Sequence, residues 1–278
     1  MQRKTKQAFI IFVYLFFLIL FLSTFYFSFF YQKPSCLDGK KNQDETGIDC
    51  GGKCSQYCLA DLTSRPLVVS NVETLAYTST SSDALGTVTN ENAKAALKNA
   101  QYTFVAYDQA GTVLAEQSGK FSLLPLETRT LVALGLPSAK VNVARTELVI
   151  ENEEWVAFTD FTEPPEIFVV NQQFSFLSGD ASFAEVKALV QNESSYDIRS
   201  LVVVVVLRDQ NNKALSVNKT TINTLQSGEE RDFRLIWPQG FEGIPIQTDM
   251  EVHLDALAED AFTKQYFPGG KFQSLFPE

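Results

Sequence analysis

Two stretches of this chain are copies of one another, offset by about one hundred residues, and an internal repeat restricts the possible folds more than any single segment does. The first copy reads GTVTNEN, AQYTFVAYDQAGTVLAEQ and LLPLETRTLVALGLP. The second reads ALVQNES, RSLVVVVVLRDQNNKALSVN and TLQSGEERDFRLIWP. Asn90 aligns with Asn192, Asp108 with Asp209, Leu114 with Leu215 and Pro137 with Pro238.

Each copy reads as short strands separated by turns. Leu67–Tyr77 and Val169–Leu177 open the copies with β-rich runs. Gln101–Tyr107 alternates in part, placing Tyr102, Phe104 and Ala106 on one face. Leu201–Leu207 is apolar throughout, the pattern of a central strand buried on both faces or packed at an interface. Its five consecutive valines are stiff at χ1 and favour strand over helix. In Asp108-Gln109-Ala110-Gly111 the glycine supplies the positive φ that closes a hairpin, and Asn212 takes its place in the second copy. Asp108 and Asp209 can accept from backbone amides of those turns, a role that outranks a catalytic one. Glu91–Ala100 has helical composition whereas its counterpart NESSYDIRS does not. Both are expected as loops or strand edges, with room for one helical turn in the first.

About seven short strands per copy, with regular turns, predict an immunoglobulin-like β-sandwich. The pattern resembles bacterial FxLYD-type and CARDB-type domains, small sandwiches of envelope and adhesion-related proteins. It is carried by Tyr107-Asp108 with Gly111, and by Leu225-Gln226-Ser227-Gly228-Glu229 with Phe233 and Trp237. The first copy departs from it, with Pro125-Leu126-Glu127 in place of the S-G-E turn. The resemblance covers most of residues 66–260 and implies an envelope location without supplying catalytic residues.

Ala8 to Phe30 contains 23 residues without a charge. As a helix this run spans roughly 35 Å, more than a hydrocarbon core of about 30 Å. Ser23, Thr24 and Ser28 can bond back to helix carbonyls, and Tyr26 and Tyr31 suit the interface. Arg3, Lys4 and Lys6 precede the run, which predicts a cytoplasmic N-terminus and an extracytoplasmic ectodomain. A cleaved signal peptide is the rival, but the run is long and no A-x-A site follows. Lipoprotein processing is disfavoured because Lys33-Pro34-Ser35 precedes Cys36.

Residues 36–58 read CLDGKKNQDETGIDCGGKCSQYC, too short and polar to hold itself by a core. Outside the cytoplasm two disulfides among Cys36, Cys50, Cys54 and Cys58 are expected, in any of three connectivities; a Cys₄ zinc site is the alternative. The segment resembles a recurrent secreted motif, C-x-D-G-x-x-N-x-x-E-T-x-x-D-C-G-G-x-C. Asp38, Asn42, Asp44, Glu45 and Asp49 offer hard oxygen ligands suited to calcium, against a simpler role in forming turns.

Little points to catalysis. The chain has one histidine, His253, which would share a strand face with Asp255. No G-x-S-x-G elbow, P-loop or G-x-G-x-x-G turn occurs, so a triad and a nucleotide site lack support. His253 is expected on the polar face of a strand. Glu153-Glu154 and Glu229-Glu230 read as solvated surface, although a hydrolase built on distant carboxylates stays open to sequence reading. Three of the 23 basic residues precede the apolar run, leaving 20 against 33 acidic ones, a balance that repels nucleic acid and anionic headgroups. Asn192-Glu193-Ser194 and Asn218-Lys219-Thr220 are formal glycosylation sequons, relevant only in a eukaryote.

The expected architecture is an all-β ectodomain: two tandem immunoglobulin-like β-sandwiches after one N-terminal transmembrane helix and a small disulfide-rich segment. Its parts are a basic cytoplasmic tip (1–7), the transmembrane helix (8–30), the Cys-rich module (31–65), the first sandwich (66–162), a stiff linker at Glu163-Pro164-Pro165-Glu166, the second sandwich (167–263) and an aromatic tail (264–278). The expected role is a single-pass, non-enzymatic binding or scaffold protein of the cell envelope. It needs no cofactor unless calcium binds, and its partners are membrane lipid and an envelope protein or surface polymer. A brace subunit of a membrane complex is the runner-up, and a carboxylate hydrolase the third reading.

Overall fold

The computed structural model describes residues 3–29, 33–54, 57–58, 62, 65–78, 81–137, 143–158, 161–178 and 183–266. The chain divides into two compact units, Met1–Cys58 and Leu59–Glu278. In the first, α1 (Arg3–Phe29) includes a 19-residue stretch, Phe9–Phe27, long and apolar enough to cross a membrane, with none of it buried. The Thr24 hydroxyl bonds back to the Leu20 carbonyl, as expected of a polar group inside an apolar helix. Phe30 and Tyr31 lie outside the described residues.

The second unit is almost entirely strand. The first copy contributes β1 (Val68–Thr78), β2 (Ser81–Thr89), β3 (Ala95–Tyr107), β4 (Val113–Leu123), β5 (Thr128–Pro137) and β6 (Arg145–Ala157). The second contributes β7 (Ile167–Phe176), β8 (Ala184–Asn192), β9 (Ile198–Arg208), β10 (Ala214–Leu225), β11 (Glu230–Trp237) and β12 (Gln247–Leu254). Each copy forms two three-stranded antiparallel sheets, in the orders β1-β2-β5 and β4-β3-β6 for the first, β7-β8-β11 and β10-β9-β12 for the second. The repeat is therefore a repeat of topology, strand for strand. Even the irregularities recur: Asn71 and Asn171 both take positive φ at a bulge in the opening strand of their copy.

Alternation puts one face of each sheet into its own core. In the first copy Val88, Leu97, Phe104, Leu123, Leu131 and Leu136 meet between the sheets. In the second, Val186, Val190, Val203, Val205, Leu225 and Trp237 do so. The hairpins close as the sequence predicts. Gly111 and Asn212 have φ of +82° and +62°, and Asp108 and Asp209 accept from the amides of Thr112 and of Asn211 and Lys213.

Glu91–Ala100, expected as a loop or strand edge, enters β3 at Ala95. Ala95, Ala96 and Leu97 are completely buried there, and that burial overrides the helical composition of the segment. The two copies also touch along an apolar seam. Leu75, Leu85 and Val132 on the outer face of β1-β2-β5 pack against Val204, Val206, Ala214 and Val217 on the outer face of β10-β9-β12. The copies thus meet along one apolar seam, and Ala96, Leu124, Val156 and Phe158 of the first copy also join the core of the second. The seam explains why β9 is apolar from Leu201 to Leu207 without a break: Leu201, Val203, Val205 and Leu207 face their own core, while Val204 and Val206 face the other copy.

Beyond β12 the chain continues through a 3₁₀ turn (Ala256–Ala258) into α2 (Asp260–Tyr266). Phe262 is buried, with its ring 6.1 Å from Phe158 and 5.9 Å from Tyr196, so the end of the second copy, just before the aromatic tail, is packed into the fold. Phe267, Phe272 and Phe276 lie outside the described residues.

Candidate functional site

Polar side chains ring the apolar seam and join the two copies. Glu251 on β12 accepts from the Thr130 amide at 2.9 Å and from its hydroxyl at 2.6 Å. Arg129 donates to the Leu254 carbonyl at 3.0 Å, the Ser122 hydroxyl donates to Asp255 at 2.8 Å, and Arg208 pairs with Asp249 at 2.6 Å and Glu73 at 3.8 Å. Where the seam opens, strands of both copies surround a cleft of about 330 Å³. Lys98, Tyr102, Lys120, Ser122, Arg129 and Thr130 line it from the first copy; Ser200, Val202, Lys219, His253 and Asp255 line it from the second.

His253 sits in this cleft and not on an open polar face. Alternation along β12 turns Met250, Val252 and Leu254 to the second core and Glu251 and His253 to the first copy. Burial lowers the His253 pKa, with Arg129 adding to it, and together they outweigh the hydrogen bond to Glu251 at 3.1 Å. Burial likewise opposes ionisation of Glu251, but hydrogen bonds from His253 and Thr130 outweigh it and hold that carboxyl below its ordinary value. Burial raises the Tyr102 phenol. Ser122, His253 and Asp255 line one cleft, yet the serine donates to the aspartate and the histidine is engaged by Glu251. No nucleophile–base contact links Ser122 to His253 among the described residues.

A larger groove of about 430 Å³ runs beside the linker, lined by Leu124, Pro164, Pro165, Phe168 and Met250 among others. The remaining sequence candidates are engaged locally. Glu153 accepts from the Trp155 indole, Glu154 pairs with Lys98, Glu229 with Arg231, and Glu230 accepts from Gln191. Neither sequon offers a free amide: Asn192 is buried and donates to the Tyr196, Leu225 and Gln226 carbonyls, and Asn218 donates to Ile236.

The cysteine segment closes through Cys36–Cys54 and Cys50–Cys58, which selects one of the three connectivities and leaves no thiolate for a Cys₄ zinc site. A crosslink closing a loop of about 15 residues stabilises by about 3 kcal/mol, enough to hold a segment without a core. The Gly-Gly pair is required by close approach: a Cβ on Gly52 would lie 1.7 Å from the Asp44 carbonyl oxygen, and one on Gly51 1.8 Å from the Thr46 hydroxyl. Asp49 accepts from the Asp38 and Gly39 amides, and Asp38 accepts from Ser35, Lys40 and the Asn42 side chain. The Asn42 side chain, followed by those backbone amides, lowers the Asp38 pKa. Glu45 accepts from the Asn42 and Asp49 amides, while Asp44 pairs with Lys53 at 2.6 Å. The carboxylates thus hold their own loop in shape. Among the described residues, the three acidic or sulfur ligand atoms within 4.8 Å of one another belong to Cys36, Glu45 and Cys54, of which two are halves of one disulfide.

The sequence matches no protein-family model and no curated protein. Among solved structures the chain is similar to red sea bream transglutaminase, at 12% identity and a TM-score of 0.21, over 68% of this chain and 29% of that one. It is also similar to the Amycolatopsis orientalis exo-chitosanase CsxA, at 11% identity and a TM-score of 0.18, over 63% and 25%. A third likeness is to the calcium binding domain CBD12 of CALX1.1, at 13% identity and a TM-score of 0.19, over 70% and 83%. The chain spans less than a third of the first two proteins. Likenesses this slight carry neither activity nor ligand to this chain.

Sequence reasoning missed the cleft because its residues come from six strands and meet only through the packing of the copies. One signal was legible. The all-apolar run Leu201–Leu207 inside a repeat implies a second buried face, and that face belongs to the other copy.

Proposed function

We propose that this chain is a membrane-anchored extracytoplasmic binding or scaffold protein, without catalytic activity, that presents its β unit to an envelope partner. The observation that carries the reading is the order of elements. An apolar helix able to span a bilayer leads into a loop closed by two disulfides, a crosslink that persists in oxidising compartments. A β unit of two joined copies follows. The pairing of Ser122 with Asp255 and of His253 with Glu251 supports a non-catalytic role. The seam that joins the two copies also supports a brace within a membrane complex as the second reading.

The test is a pair of fusions after Glu278. A reporter active only outside the cytoplasm should be active, and a cytoplasmic reporter silent; the reverse contradicts the reading. Crosslinking followed by recovery of the full chain then separates its two forms. One membrane protein recovered at fixed stoichiometry supports the brace, and recovery of a soluble or surface partner supports the scaffold.

A further inference from the structure

We propose that the cleft between the two copies binds a phosphate group, free or ester-borne, through the ammonium groups of Lys98, Lys120 and Lys219. The proposal gives the binding reading a ligand class and rests on it only in that respect.

The chain carries 33 acidic residues against 23 basic ones, so a basic cavity runs against its overall charge. Yet this cleft gathers Lys98 from β3, Lys120 from β4, Arg129 from β5 and Lys219 from β10, with Asp255 the one carboxylate on its wall. Asp255 is already accepting from Ser122. Lys98 is paired with Glu154 at 2.5 Å. Lys120 and Lys219, both exposed at the mouth of the cleft, have no side-chain ion pair or hydrogen bond among the described residues.

Like charges facing one cavity repel, and an anion between them reverses the sign of that interaction. Lys219 keeps contact with solvent, but the protein around it partly desolvates the ammonium and lowers its pKa.

The donor set decides the class of anion. Planar carboxylates are best matched by a free guanidinium fork. The only guanidinium here, Arg129, is committed through Nε and Nη2 to Glu127 and through Nη2 to the Leu254 carbonyl. What remains is a set of ammonium point charges, with the Tyr102 phenol on the same wall, since the Ser122 and Ser200 hydroxyls already donate to Asp255 and Asn223. Such a set suits a compact, multiply charged tetrahedral oxyanion. About 330 Å³ holds a phosphate together with part of the group that it esterifies. The apolar wall formed by Phe121, Leu131 and Val202 would face that group.

Calorimetry on the full chain in neutral detergent micelles at pH 7 tests this without reference to membrane orientation, so failure of the site and failure of the topology are separable. Inorganic phosphate and glycerol phosphate are the two arms, with acetate as the comparison. Saturable binding of at least one phosphate at one site per chain, with acetate much weaker, is expected; response to glycerol phosphate alone identifies the ester-borne source. Lys120→Gln and Lys219→Gln should each weaken binding about tenfold, the order for one charge-assisted contact, and the double variant should abolish it. Lys213→Gln, on the β9–β10 hairpin, should leave it unchanged. Thermal unfolding of each variant confirms that it is folded. Phosphate should also protect Lys120 and Lys219 from acetylation, a readout on the unaltered chain. No saturable response to either phosphate up to about 10 mM, or equal binding by the wild type and the double variant, would overturn the proposal.

Discussion

The corner between β4 and β5 and its counterpart between β10 and β11 are built alike and used differently. In each, a buried asparagine pins the start of the next strand to the turn: Asn90 donates to the Ala95 and Leu124 carbonyls, and Asn192 to those of Tyr196, Leu225 and Gln226. In each, a glutamate accepts from the amide three residues before it and pairs with an arginine two residues after it. In the second copy Arg231 then turns back to the Asn223 and Thr224 carbonyls and stays 37% exposed. In the first copy Arg129 is 7% exposed and reaches across to Leu254 of the other copy. One motif serves as a local clasp in one place and as part of a joint in the other. Duplication supplied the corner, and only the packing of the copies gave one of its two versions a second task.

The largest effect should come from the joint itself. Val204→Asp places an unpaired carboxylate among Leu85, Val132 and Val217. Such burial should cost about 3–5 kcal/mol and break the seam before either core. Urea unfolding of the full chain in detergent should show two steps where the wild type shows one. A single transition shifted to lower urea would mean that the seam cannot be broken apart from the cores.

Next in size is the contrast between the arginines. Arg129→Ala leaves Glu127 and the Leu254 carbonyl without their partner inside the joint and should cost about 2–3 kcal/mol. Arg231→Ala removes an exposed pair and should cost no more than about 1 kcal/mol. Equal losses in urea midpoint would remove the distinction between clasp and joint.

The turns beside them differ in backbone strain. Gly228 holds φ of +73° at no steric cost, but its counterpart Leu126 holds +59°. Leu126→Gly should therefore stabilise by about 1 kcal/mol, and Gly228→Ala should destabilise by about as much. No atom lies within 4 Å of a Cβ placed on Gly228, so its loss would be a backbone effect alone. Destabilisation by Leu126→Gly would show that the exposed leucine side chain contributes more than its φ costs.

Much of this was written in the sequence. The repeat, the hairpin signals at Gly111 and Asn212, and the alternating and all-apolar runs gave two β-rich copies, although each holds six described strands where about seven were expected, and the order of strands in the sheets was not legible. The joint was hidden for a physical reason that β2 illustrates. Like β9, β2 is buried on both faces, yet its sequence is SSDALGTVT and contains Ser82 and Asp83. Asp83 is tolerated because its carboxylate accepts from the Gly135 amide at 2.7 Å, a pairing no local pattern announces. The cysteine loop shows the converse. Its motif was legible residue by residue, but the choice among three pairings was not, because it is made by contacts across the loop such as that of Gly47, where a Cβ would lie 2.7 Å from the Cys50 sulfur and 2.8 Å from that of Cys58.

The smallest expected effect is on acid stability. The folded pKa values of His253 and Glu251 both lie below their ordinary values of 6.5 and 4.5. The folded chain thus binds fewer protons than the unfolded one as pH falls. The contribution of His253 is complete above about pH 6.5 and declines below it; that of Glu251 declines below about pH 4.5. The Tm should drift down from pH 7 to pH 5.5, and His253→Gln should flatten that part of the curve. An unchanged slope in the variant would place the acid sensitivity elsewhere.

The claim that the copies form one joined unit has a direct probe, because the chain has two tryptophans, one in each copy. Trp155 lies on β6 of the first and Trp237 on β11 of the second. Trp237→Phe leaves fluorescence that reports only the first copy, and Trp155→Phe leaves fluorescence that reports only the second. Urea unfolding of both variants, each referred to its own circular dichroism curve, should give fluorescence and dichroism transitions that coincide, since neither copy can open without exposing the Leu85–Val204 seam. Separated transitions, with one tryptophan reporting a copy that unfolds while the dichroism of the other persists, would contradict the joined unit.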